Sequence, residues 1–213
     1  MNLFKIVLIM LFTLTLAACD KTEASSKSEH QLSSDAAANS LHTEQASSPL
    51  VTREPALNAA PLGVEIGYAN LAGVKQKIGS MTNLIDAGKS DHTGGVILDS
   101  NGQGLGVDGL SRFVVIFDKS GTLVAILMTM PKDVNDIYSK LSQKYTPVSK
   151  NIDEFMGNGS AKLQKGDSLV MIDAPHLSFQ MTVAYVTKEF LATAERNTEA
   201  ANGKKQQEQK DKF

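Results

Sequence analysis

"RFVVIFDKSGTLVAILMTM", residues 112–130, is the stretch on which the fold turns. Two runs of β-branched, aromatic and aliphatic residues flank Asp118-Lys119-Ser120-Gly121, and Gly121 can take the left-handed conformation that a tight turn demands. The spacing predicts a β-hairpin. Both alternating sets of side chains in it are apolar, so the hairpin belongs at the centre of a sheet, covered on both faces or facing a partner.

Working outward, "GGVILDS" (94–100) reads as a strand on the N-terminal side of the hairpin. On its C-terminal side the period changes. In "PKDVNDIYSKLSQKY" (131–145), Val134, Ile137, Tyr138, Leu141 and Tyr145 form one helical stripe, while Asp136, Lys140 and Lys144 face water. Short strands follow at 161–164 and 168–173, turning at Lys165-Gly166-Asp167. In "SFQMTVAYV" (178–186), Phe179, Met181, Val183 and Tyr185 alternate with Ser178, Gln180, Thr182 and Ala184, which predicts a half-buried antiparallel strand. Thr187 then caps a last helix toward Arg196.

Upstream, "GYANLAGVKQKIG" (67–79) places Leu71, Val74 and Ile78 on one helical face, with Asn70 as N-cap and Gly79 as the stop. Runs of strands between helices, joined by hairpin-length links, indicate an α+β fold with helices packed on an antiparallel meandering sheet. The stretch "LGVEIGYANLAGVKQKIG" (62–79) resembles the start of BamE-like small lipoproteins and of the related β-lactamase inhibitor proteins. The resemblance implies a lipid-anchored, non-enzymatic binding module of the bacterial envelope. Some members repeat the unit, so two helix-plus-strands units in tandem are open to this chain as well.

The N-terminus carries Lys5, then "IVLIMLFTLTL" (6–16), then Ala17, Ala18 and the single cysteine of the chain, Cys19. That run is too short for a membrane-spanning helix, which needs about 20 residues, and reads as an export signal covering 1–18. Leu16-Ala17-Ala18-Cys19 resembles the lipobox of bacterial lipoproteins. The resemblance implies that Cys19 becomes the mature N-terminus, carrying diacylglycerol and then an N-acyl chain such as palmitate. It also implies a protein held in the cell envelope, facing the periplasm. Asp20, directly after the cysteine, is the residue that favours inner-membrane retention in lipoproteins of enteric type; inner and outer membrane both stay open.

Residues 20–60 contain 16 Ser and Ala among 41 positions and no aromatic residue, too little apolar surface to offset the entropy of ordering. With Cys19 they form a flexible lipidated tether (19–60), followed by a globular domain (61–196) and a polar tail (197–213) that either extends the last helix or frays. Between residues 61 and 187 there are 12 acidic and 11 basic side chains, so no basic face argues for nucleic acid.

No catalytic constellation is found, which points away from an enzyme. Gly104-Leu105-Gly106-Val107-Asp108-Gly109 matches G-x-G-x-x-G, but a strand rather than a helix follows, so no nucleotide and no cofactor is expected. Asp99, Asn101, Gln103 and Gly104 echo a calcium loop, yet the twelfth position is Leu110 rather than Glu. His30, His42, His92 and His176 follow no metal-ligand spacing. The sequence therefore points to a non-catalytic binding or scaffold module, anchored by lipid and meeting an envelope protein. The alternative is an envelope hydrolase or metal-dependent enzyme at the 99–109 loop, for which Asp91, His92, Asp99, Asp108 and His176 would have to converge.

Overall fold

The computed structural model describes residues 56–210. The export signal, Cys19, Asp20 and all of the tether before residue 56 lie outside the described residues.

Eight strands form one antiparallel sheet: β1 (Ile85–Lys89), β2 (Gly94–Ser100), β3 (Arg112–Asp118), β4 (Leu123–Pro131), β5 (Thr146–Ile152), β6 (Gly159–Lys165), β7 (Ser168–Ala174) and β8 (Gln180–Thr187). Helix α1 (Leu71–Gly79) precedes the first four strands, α2 (Val134–Ser142) precedes the second four, and α3 (Lys188–Lys210) closes the described chain. This is the α+β architecture with an antiparallel meander. The chain makes the same unit twice, a helix followed by four strands. The strand order β1-β2-β3-β4-β8-β7-β6-β5 joins the units at their last strands. At that seam Ala125 faces Val186, Met128 faces Val183 and Met130 faces Met181.

Local chemistry explains the helix limits. Asn70 Oδ1 accepts from Gly73 N at 2.8 Å and caps α1; Asp133 Oδ1 accepts from Asp136 N at 3.3 Å and caps α2. Thr187 Oγ1 accepts from Phe190 N at 3.1 Å at the start of α3. The hairpin of β3 and β4 turns where expected: Gly121 has φ 83°, and Asp118 Oδ1 accepts from Thr122 N at 2.9 Å. Gly95 serves a different need, because a Cβ there would overlap the Phe117 and Asp118 carbonyls where β2 crosses β3.

The core has two layers. One face of the sheet, with Phe113, Phe117, Leu123, Ile126, Leu163 and Ile172, lies under Val74 and Ile78 of α1 and Val134 of α2. The other face, with Val114, Ile116, Leu127, Leu169, Met171 and Val186, lies under Phe190 and Leu191 of α3. The central hairpin is thus covered on both faces by the chain's own helices, and no partner is required to bury it.

Several expectations need correction. The strand drawn from Ser178 starts at Gln180, and Phe179 is 94% exposed in the preceding loop. It is not half-buried either: from Met181 to Val186 every residue is buried, because α3 supplies the second cover that the alternating pattern did not reveal. The domain also begins before residue 61. Asn58 is buried, its Nδ2 donates to Ile66 O at 2.9 Å, and Ala59 N donates to Ser168 Oγ at 2.8 Å. Helix α3 runs on past Arg196 to Lys210, so over the described residues the polar tail extends the last helix, one of its two expected forms.

The sheet has two ends. At one, the β6–β7 turn holds Asn58 through Asp167 N, which donates to Asn58 Oδ1 at 2.8 Å, and α3 begins beside it with Lys188 N donating to Asp167 O at 3.0 Å. This is the joining end, where the chain enters the domain. At the other, distal end lie residues 101–111, the start of α2, and the loops 153–158 and 175–179.

Candidate functional site

Helix α1 packs on the first unit and α2 on the second, and among the described residues the β4–β8 seam between them lies open. A groove of about 780 Å³ lies there. Its floor consists of Met128 and Met130 from β4 and Met181, Val183 and Tyr185 from β8. Ile137 and Leu141 of α2 and the neighbouring Tyr145 make one wall, Pro61 and Leu62 the other, and Val107 and Asp108 close the distal end. The stripe that folds α2 onto the sheet therefore does two jobs. Val134 is buried, while Ile137, Leu141 and Tyr145 keep a half-buried edge toward the groove.

The floor is soft. Three methionines in a row can repack around different shapes, since the unbranched thioether adapts at little conformational cost. The charged rim is polar in the electrical sense: Asp108, Asp133 and Asp136 gather toward the distal end, and Lys144 stands toward the joining end. Lys140 is engaged with Asp136 at 2.7 Å; its pKa is raised by that hydrogen bond first and by the Asp136 charge next. At the base, Tyr145 and Tyr185 meet edge to face, with centroids 6.2 Å apart and an interplanar angle of 72°. Burial raises the pKa of both hydroxyls, that of Tyr185 far above the ordinary tyrosine value, with the neighbouring Tyr145 adding to it. Neither phenol is ionised near neutral pH. The groove offers an apolar bed with charged ends, and among the described residues no serine, cysteine or histidine lines it.

The residues of the enzyme alternative do not come together. His92 lies at the joining end, where Asn197 Nδ2 donates to its Nδ1 at 3.3 Å; His176 lies at the distal end, taking a 2.8 Å bond from Asn158 Nδ2. Asp99 is held by Arg112, whose Nη2 and Nε reach Asp99 Oδ2 at 2.6 and 3.0 Å. The calcium-like spacing resolves into a turn that satisfies itself: Asn101 Oδ1 accepts from Gln103 N at 3.1 Å, and Ser100 Oγ accepts from Gly102 N at 3.1 Å. Gly104, Gly106 and Gly109 all have positive φ in a loop that leads into β3, so the loop opens a strand and not the helix that a dinucleotide fingerprint requires. Among the described residues, no three His, Cys, Asp or Glu side chains are grouped to hold a metal ion.

Sequence reasoning missed the groove, because it is lined by residues from four separated stretches. The methionines were visible in "LMTM" and "QMTV", but nothing local to either run tells which strands pair. It also missed what the loops at the distal end carry. Phe155 is 96% exposed, Leu177 93%, Phe179 94% and Met156 53%, all on the turns 153–158 and 175–179.

Among the described residues, no helix is long and apolar enough to cross a membrane. No family model, curated protein or solved structure matches the chain.

Proposed function

We propose that the protein is a lipid-anchored, non-catalytic binding module of the bacterial envelope, and that the groove over the β4–β8 seam receives an extended segment of an envelope protein. The carrying observation is the groove itself: a methionine floor with acidic side chains at one end and an uncommitted lysine at the other. An apolar segment with a basic residue at its distal end and an acidic one near Lys144 complements it. Adaptable methionine beds suit partners recognised by apolar character rather than by one fixed shape. Both broad faces of the sheet are occupied by the chain's own helices, which favours the seam over an open sheet face as the meeting place.

The resemblance of residues 62–79 to BamE-like modules and β-lactamase inhibitor proteins supports the same class, and so does the repeated helix-plus-four-strands order. Anchoring at Cys19, with Asp20 as the sorting residue, gives the module its place. Tethering raises the local concentration of a site near membrane partners, so modest affinity in solution suffices.

Photo-crosslinking in cells tests this reading. A crosslinking residue at Val107 or Lys144 should trap a discrete protein adduct, whereas one at Lys75, exposed on α1, should not. Equal yields from the three positions, or none from the groove, would remove the groove from the account.

A further inference from the structure

We infer that the apolar tips of the distal loops dip into the bilayer surface and orient the domain on the membrane; this rests on the anchored reading above. Phe155, Leu177 and Phe179 are each more than nine-tenths exposed and come from two neighbouring loops. Large apolar side chains gathered so openly are a liability in water unless something covers them.

Three observations favour lipid as the cover. First, the turn that carries Phe155 has its backbone donors engaged, and the 175–179 loop has part of its backbone engaged. Asp153 Oδ1 accepts from Phe155 N and Met156 N, each at 2.9 Å, and Asp153 O accepts from Gly157 N at 2.8 Å. In the other loop Ser178 N donates to Pro175 O at 3.3 Å and Gln180 N to Ser178 Oγ at 3.0 Å. Contact with hydrocarbon penalises open amide groups, and the Phe155 turn presents few. Second, the two loops are braced from beneath by Lys132, whose Nζ donates to Asn158 Oδ1 at 2.7 Å and to Pro175 O at 2.9 Å. The tips are thus held together as one wedge.

Third, the chain outside the described residues is long enough. It joins the domain at Asn58, at the end of the sheet away from the tips. Strands of seven residues span about 23 Å. A flexible chain of 36 residues, the length from 20 to 55, would span about 30 to 36 Å, enough for a lipid on Cys19 to share a leaflet with the tips. Acidic Asp153 and Glu154 stand beside Phe155, so the attraction is apolar rather than a pull on anionic headgroups. In this pose the seam groove opens sideways, parallel to the membrane, and stays accessible.

The test uses the mature chain with Cys19→Ser, which leaves it without lipid and without cysteine. It should co-sediment with vesicles of phosphatidylcholine alone and of phosphatidylethanolamine with phosphatidylglycerol, with little dependence on salt. Removing two exposed phenylalanines from a bilayer contact, as F155S with F179S, should weaken vesicle binding about tenfold or more. Y68S, at an exposed tyrosine of the joining end, should leave it unchanged. A polarity-sensitive dye on M156C should shift to the blue with vesicles, and one on Y68C should not. Because the tips touch little, circular dichroism of the variants should match the parent. No vesicle binding by the parent chain, or equal binding by F155S/F179S, would overturn the proposal, and so would crosslinks from residue 155 to a protein instead of lipid. An unlipidated Cys19 in cells would instead overturn the anchored reading, while dye insertion would still stand or fall by itself.

Discussion

Lys132 Nζ sits 2.7 Å from Asn158 Oδ1, joining the residue after β4 to the β5–β6 turn 26 positions later. With its second bond to Pro175 O, this one ammonium links three segments of the distal end. Lys132→Met keeps the stem and removes the donors. It should cost about 1.5 to 3 kcal/mol, the range for hydrogen bonds to a charged group. Hydrogen exchange should speed up at Gly157 and Asp153, whose amides close the turn, while amides of β4 and β8 stay protected. Faster exchange throughout the sheet would show that Lys132 serves the whole fold instead.

Phe117 and Leu141 separate core from groove. Phe117 is fully buried, so Phe117→Ala should cost about 3 to 5 kcal/mol. Leu141 keeps a half-buried edge at the groove, and Leu141→Ala should cost less, about 1 to 2 kcal/mol, because only part of its apolar area leaves water on folding. Denaturant titration gives both values. Equal costs would mean that Leu141 is core and that the groove has no wall there.

Two glycines should respond in opposite directions. Gly95→Ala forces a Cβ against the Phe117 and Asp118 carbonyls, and neither backbone can yield without disturbing the β2–β3 pairing. Gly203 stands in α3 with open space around it, so Gly203→Ala should add helix propensity worth up to about 1 kcal/mol. Thermal melts should fall for the first and hold or rise for the second.

Acid should act through two named groups. Burial lowers the pKa of His92, with Asp91 opposing, so the folded state prefers the neutral ring. Its contribution is complete above the unfolded value near 6.5 and is lost as pH falls through the depressed folded pKa. Asp118 has a lowered pKa although burial alone would raise it, because Ser120, Thr122 and Gly121 donate to it. Its contribution is present above the unfolded value of 3.8 and is lost below it. His92→Gln should flatten the stability profile between about pH 5 and 7, and Asp118→Asn should flatten it below about pH 4. A profile unchanged by either would mean that these groups titrate alike in the folded and unfolded chain.

The elements with a strong period or a defined cap were legible in the sequence, because their signals are local. Asn70, Gly121 and Thr187 each perform the capping or turning role that their type suggests. The edge strands were not. In β5, "TPVSKNI" is exposed at six of seven positions and carries Pro147 and Lys150, the marks of a protected edge rather than of a strand period. In β1, "IDAGK" is interrupted by Gly88 at φ 94°. The groove and the tip wedge depend on which strands become neighbours. The pairing of Met130 with Met181, across 50 residues of sequence, is written in no single stretch.

Whether Cys19 ties the domain to the membrane is read from intact-mass analysis of the membrane fraction. The expected result is a mature chain beginning at Cys19 with the added mass of a diacylglycerol and an acyl group, and release of the protein by Cys19→Ala. A chain recovered free of lipid, or one whose fractionation is unchanged by Cys19→Ala, would contradict it.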